Sequence, residues 1–131
     1  MIVDSSAVVA IVQNETDAAT LFSAFGKSER PSMSVATFIE TAIVVDSRRD
    51  PAFSNELGRF LERVNMRFVS VDEQQAHIAR QAYRDFGKGS GHPARLNFGD
   101  CFAYALAKAT GEKLLYKGTD FSHTDVASAL A

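Results

Sequence analysis

Short β-branched or leucine-rich runs alternate along the chain with stretches whose apolar residues recur at helical spacing. Ile2-Val3 comes first, Asp4-Ser5-Ser6 follows at once, and residues 7–12 are apolar. This pattern predicts a buried strand ending near Asp4 and a helix starting directly after it. Asp4, Ser5 or Ser6 would lie near its N-cap, because short oxygen-bearing side chains accept bonds from first-turn N–H groups. Thr16 or Asp17 is placed to cap a second helix carrying Leu21, Phe22 and Phe25, which Pro31 stops. A short strand around Ser32-Met33 is expected next.

Val35, Phe38, Ile39, Ala42 and Ile43 then recur at i, i+3, i+4, i+7 and i+8, the stripe of an amphipathic helix. Glu40 lies off the centre of that stripe, with Ala36, Ile43 and Val44 one turn away. A carboxylate on so apolar a helix needs a partner or a proton, because an unpaired buried charge is costly. Asp50-Pro51 reads as a cap followed by proline at the first helical position, ahead of Phe53, Leu57, Phe60, Leu61 and Val64. Residues 68–71 read as a strand, and Asp72 with Gln75 as a capping box opening a helix to about Phe86. Residues 87–93 form a glycine-rich loop, though the helices on either side need the same core. Phe98, Phe102, Ala105, Leu106 and Ala109 mark a further helix, closed by Gly111. Residues 113–116 read as the last strand, with Thr119-Asp120 just beyond. Strands alternating with helices imply a parallel sheet covered on both faces.

Composition narrows the class. The chain of 131 residues fits one domain. Hydrophobic residues at 46% and charged ones at 23% are ordinary globular values, so disorder is not expected. No apolar run approaches the roughly 18 residues that span a membrane. Asp4 stands where a signal peptide carries positive charge, so a cytoplasmic protein is expected. One cysteine, Cys101, excludes an internal disulfide framework and a thiolate zinc cluster. A net charge of −2 argues against gripping nucleic acid by bulk charge alone, but not against an enzyme acting on it.

In open α/β sheets, ligands bind beyond the carboxyl ends of the strands. Asp4 and Asp120 each follow a strand, Glu40 lies on the helix after the second, and Asp100 lies near the start of its helix. Four carboxylates from distant segments would then meet at one edge, where their repulsion calls for a cation. Oxygen-only ligands favour Mg²⁺ or Mn²⁺ over zinc. No Ser-His-Asp or Cys-His set competes. The alternative is that each acid merely caps a helix or pairs with an arginine.

Four segments in order, MIVDSSAVVAIVQNE, TFIET, LNFGDCFAYALAK and KGTDFSHTDV, make the whole chain resemble a PIN-domain ribonuclease of the VapC toxin family. The resemblance implies an α/β/α sandwich around a mostly parallel sheet of four or five strands, as a single PIN domain over residues 1–131. It implies a metal-dependent endoribonuclease, the toxin of a toxin–antitoxin pair. Asp4, Glu40 and Asp100 match the family's core acids and Asp120 the more variable fourth. In the family these hold one or two Mg²⁺ or Mn²⁺ ions, and a metal-activated water cleaves RNA. Ser6 matches a small polar residue that orients the acids, and Thr119 stands where asparagine is frequent in relatives. A VapB-type antitoxin partner and a homodimer are also implied.

Lys88 and Arg95, with Arg84 and Lys117, are candidates from loop position for a rim that meets RNA phosphates. Arg48 and Arg49 read as a helix C-terminal charge pair. Asp125 reads as a turn or cap residue, with a role at the metal as the alternative. His77, His92 and His123 lack ligand spacing, and Cys101 reads as a buried inert thiol. One rival is a phosphatase with an aspartyl nucleophile; it wants a second Asp where Ser6 stands. The other is a catalytically silent PIN-like binding module, which would be expected to lose one or more of the acids that this sequence keeps.

Overall fold

The computed structural model describes residues 1–27 and 29–130. Its sheet has four parallel strands, β1 (Ile2–Val3), β2 (Ser32–Ser34), β3 (Arg67–Val69) and β4 (Leu114–Leu115), in the spatial order β3-β2-β1-β4. Ile2 is in register with Ser32 on one side and Leu114 on the other, and Met33 with Phe68. The third strand starts one residue earlier than its pattern suggests and stops at Val69, where its pairing with Ser34 ends. The fourth shrinks to Leu114–Leu115, its pairing with β1 confined to those two residues.

Six helices carry the chain between strands: α1 (Ser5–Val12), α2 (Ala18–Ser23), α3 (Val35–Asp46), α4 (Pro51–Arg63), α5 (Glu73–Phe86) and α6 (Phe98–Thr110). Three of their starts follow the predicted chemistry, whereas at α2 Asp17 takes the N-cap position without a side-chain bond. Asp4, Asp50 and Asp72 each accept a first-turn N–H, and Pro51 takes the first position of α4. The box at Asp72 is only half formed, because the Gln75 amide donates instead to the Ser70 carbonyl at 3.0 Å. Gly111, in the left-handed region at φ 72°, ends α6 at no Cβ cost.

Successive residues of a strand point to opposite faces, and β1 and β4 each feed two cores. Val3, Met33 and Leu115 pack with Ala7, Val8, Leu21, Leu57 and Phe60 of α1, α2 and α4. Ile2 and Leu114 pack on the other face with Ala103, Leu106 and Ala107 of α6 and Ala82 of α5. The result is the expected three-layer α/β/α arrangement. Phe60 anchors the first core, 1% exposed and with Phe25 set edge-on at 5.5 Å; burying such a ring contributes roughly 2–3 kcal/mol. The glycine-rich loop is tied at its base, where Lys88 N–H donates to the Leu96 carbonyl and Leu96 N–H to that of Phe86. Among the described residues no helix is long and apolar enough to cross a membrane.

Candidate active site

Because all four strands run the same way, their carboxyl ends share one edge. β2 lies on one side of β1 and β4 on the other, so the connections diverge there and leave a crevice of the kind that takes ligands. Asp4 stands at its base, the residue between β1 and α1, its backbone N–H donating to Leu115 O at 2.9 Å. The residue is 1% exposed. Oδ2 accepts from the N–H of Ser6 at 3.0 Å and from its hydroxyl at 2.6 Å. Oδ1 is buried with no hydrogen-bond partner. Burial, against those two bonds, pushes the carboxyl up to about 7, and the negative charges of Asp100 and Glu40 push the same way.

Glu40, half-buried on α3, reaches toward α1, where the Ser5 hydroxyl donates to its Oε1 at 2.8 Å. Asp100 sits in the first turn of α6, in a reciprocal capping box with Asn97. Asn97 Oδ1 accepts the Asp100 N–H at 2.9 Å, and Asp100 Oδ2 accepts the Asn97 N–H at 3.0 Å. Burial raises the Asp100 carboxyl above its ordinary range, the Asn97 bond opposes this, and the charges of Glu40 and Asp120 add to the rise. Asp120, exposed beyond β4, makes no capping bond of its own. Asp4 and Asp100 both feel Glu40, and Asp100 also feels Asp120, so the four acids share one electrostatic neighbourhood.

Among the described residues no three His, Cys, Asp or Glu groups form a cradle for a metal ion. In this arrangement Glu40 accepts from the Ser5 hydroxyl and Asp100 from the Asn97 N–H. A hard cation nevertheless fits this set. The donors are all carboxylate oxygens, and the buried Asp4 Oδ1 lacks the partner that a desolvated carboxylate requires.

Ser6 joins two segments of the site, donating to Asp4 while its oxygen accepts the Lys117 N–H at 3.0 Å. Thr119 is exposed, its carbonyl taking the N–H and hydroxyl of Ser122. Lys88 is exposed and lines a largely apolar groove between α5 and α6 with Arg80, Arg84, Phe98 and Phe102; Arg95 is exposed outside it. The Lys117 ammonium pairs with Glu15 and with Asp17, the latter at 3.5 Å. Arg48 bonds Gln13 and lies 4.4 Å over the Phe53 ring.

Asp125 accepts from the Tyr104 hydroxyl at 2.6 Å and the Lys108 ammonium at 2.9 Å. These bonds, Tyr104's above all, keep its carboxyl below the usual range and tie the C-terminal segment to α6. His77 and His123 are exposed, and His92 Nδ1 accepts the Ala94 N–H. Cys101 is buried, and burial pushes its thiol up to about 11, the state of an inert packing residue. Three participants escaped the sequence pattern: Ser5 as the partner of Glu40, Gly99 beneath its carboxylate, and Asn97. The last was legible as Asn-x-x-Asp ahead of an apolar run.

Residues 1–127 match the family model described as PIN domain. The chain is similar to Ribonuclease VapC28 of Mycobacterium tuberculosis, 50% identical over 99% of this chain and 98% of that one. It is 48% identical to Ribonuclease VapC of Mycolicibacterium smegmatis, over 98% of both. Among solved structures, it superposes on VapC20 of M. tuberculosis, described as a sarcin–ricin-loop-cleaving toxin, with TM-score 0.74, 16% identity and coverage of 96% and 95%. A toxin–antitoxin complex from Klebsiella pneumoniae gives TM-score 0.71 at 11% identity, covering 99% of this chain and 97% of that one.

Proposed function

The chain belongs to the PIN-domain family, among its VapC ribonucleases, and from this we infer that it is an endoribonuclease, the toxic component of a toxin–antitoxin pair. The observation that carries the chemistry is the buried Asp4 carboxylate, one oxygen unpartnered, within electrostatic reach of two further acids. Our reading takes residues 1–131 as one PIN domain.

The four acids are read as holding Mg²⁺ or Mn²⁺. When bound, such an ion supplies a water far more acidic than bulk water and offsets the charge that develops on a phosphodiester under attack. In this reading Asp4 and Asp100 ligate most directly, Glu40 and Asp120 complete the charge, bind a second ion or orient the water, and Ser6 holds Asp4 in line. Thr119 supports Asp120 from the adjoining position. Lys88 and Arg95 are placed to meet the phosphates of the RNA strand. Such a target puts the enzyme's action in the cytoplasm. In a bacterial host, induced expression should arrest growth and fragment RNA, while Asp100→Asn, made to equal levels, should do neither. Arrest by the variant as severe as by the parent chain would refute the toxin reading.

An antitoxin goes with the toxin role. We take it to be a VapB-type protein that wraps the groove beside the acids. A homodimer is supported by the apolar surface that α3 and the start of α6 leave open, where Ile39, Ile43 and Phe98 are 55%, 63% and 78% exposed. A single large apolar residue on a surface is ordinary; a contiguous set favours a partner. Ile43→Glu should shift the mass by light scattering from dimer to monomer at micromolar concentration. A dimer unchanged by that charge would place the interface elsewhere.

A further inference from the structure

Gly99 occupies the second position of α6, and its backbone is helical: it is not among the residues with positive φ. Conformational freedom therefore does not account for a glycine there, and in a helix glycine is less favourable than alanine by up to about 1 kcal/mol. Space accounts for it. A Cβ built on Gly99 would lie 1.8 Å from Glu40 Oε2, 2.5 Å from its Cδ and 2.9 Å from Oε1. The Glu40 carboxylate thus fills the volume that any side chain at position 99 would take. Gly58, inside α4, has by contrast nothing within 4 Å.

The same carboxylate is also held by the Ser5 hydroxyl, which donates to its Oε1 at 2.8 Å. It is clamped between α1 and the first turn of α6, one residue from Asp100. We propose that Gly99 is a positioning residue, its missing side chain forming the seat that keeps Glu40 beside Asp100. This rests on the reading of the acids as the reactive site. What would collide is the far end of a flexible glutamate and not backbone, so an added methyl displaces Glu40 without opening the core. Stability and activity should then part company.

The test compares wild type, Gly99→Ala, the double variant Gly99→Ala with Glu40→Asp, and Asp100→Asn, all as the purified full chain. Three quantities are read: RNA cleavage rate, thermal midpoint in EDTA, and Mn²⁺ affinity by calorimetry. Gly99→Ala should keep or raise the midpoint, weaken Mn²⁺ binding about tenfold and slow cleavage about a hundredfold, the scale of an ångström-sized misplacement. Shortening the acid by one methylene makes room for the methyl, so the double variant should regain about tenfold in cleavage and in Mn²⁺ affinity. If Gly99→Ala unfolds the chain, the double variant still decides, since relieving the collision must restore the midpoint. Wild-type cleavage by Gly99→Ala, or no recovery in the double variant, overturns the proposal. Were Asp100→Asn as active as wild type, the site reading and the proposal would fall together; an inactive Asp100→Asn beside an active Gly99→Ala overturns the positioning role alone.

Discussion

Asp4→Asn should abolish RNA cleavage and, at about pH 8 in EDTA, make the protein more stable. The loss follows from removing the anionic charge at the base of the crevice; taking away one preorganised electrostatic group costs roughly a hundred- to a thousandfold in rate, and a ligand to the ion at least as much. The gain follows from burial. Asp4 is 1% exposed, its Oδ1 has no partner, and its carboxyl is pushed from 3.8 to about 7. Holding it ionised at alkaline pH costs on the order of 4 kcal/mol relative to the unfolded chain. Asparagine removes that cost but leaves an amide N–H₂ where Oδ1 was, which costs about 1–3 kcal/mol if it stays unpaired. The net should be a rise of a few degrees in the midpoint, read by differential scanning calorimetry. A variant clearly less stable than wild type in EDTA would mean that Asp4 is a structural cap first and a ligand second.

Proton and metal should compete at this site, and the competition fixes how stability depends on pH. A carboxyl raised on folding favours the folded state most when protonated. The Asp4 contribution is therefore intact below about pH 4, declines as pH rises, and is fully lost once the pH passes about 7. In EDTA the midpoint should fall across that window for this group's part, and Asp100, raised in the same direction, adds to the decline. Mn²⁺ offsets the loss only where the carboxylates are ionised. Its affinity should be about thirtyfold weaker at pH 5.5 than at pH 8 if one proton must leave Asp4. The midpoint gain on adding Mn²⁺ should be large at pH 8 and nearly absent at pH 5.5. Equal gains at the two values would show that the ion binds elsewhere.

Much of this fold was legible because its determinants are local. Asp50-Pro51 starts a helix and Gly111 ends one through atoms a few residues away, and both do so in the structure. Ile2, Val3, Leu114 and Leu115 read as buried strand because their side chains alone require it. The candidate acids are legible from their order along the chain and from the rule that strand ends gather ligands. Which groups hold them was not legible. Ser5 meets Glu40 across 35 residues, and Ser6 meets the Lys117 N–H across 111; both depend on how helices and loops pack. The pairing of Lys117 with Glu15 and Asp17, about a hundred residues earlier, is hidden in the sequence for the same reason. The Asn97 box is the exception: its signature is local, and it fixes the orientation of Asp100.

Incubating purified, antitoxin-free protein with total bacterial RNA tests cleavage by these carboxylates most directly. Wild type in Mn²⁺ or Mg²⁺ should yield discrete fragments, and wild type in EDTA and Asp100→Asn in Mn²⁺ should leave the RNA whole. Cleavage that continues undiminished in Asp100→Asn would contradict it.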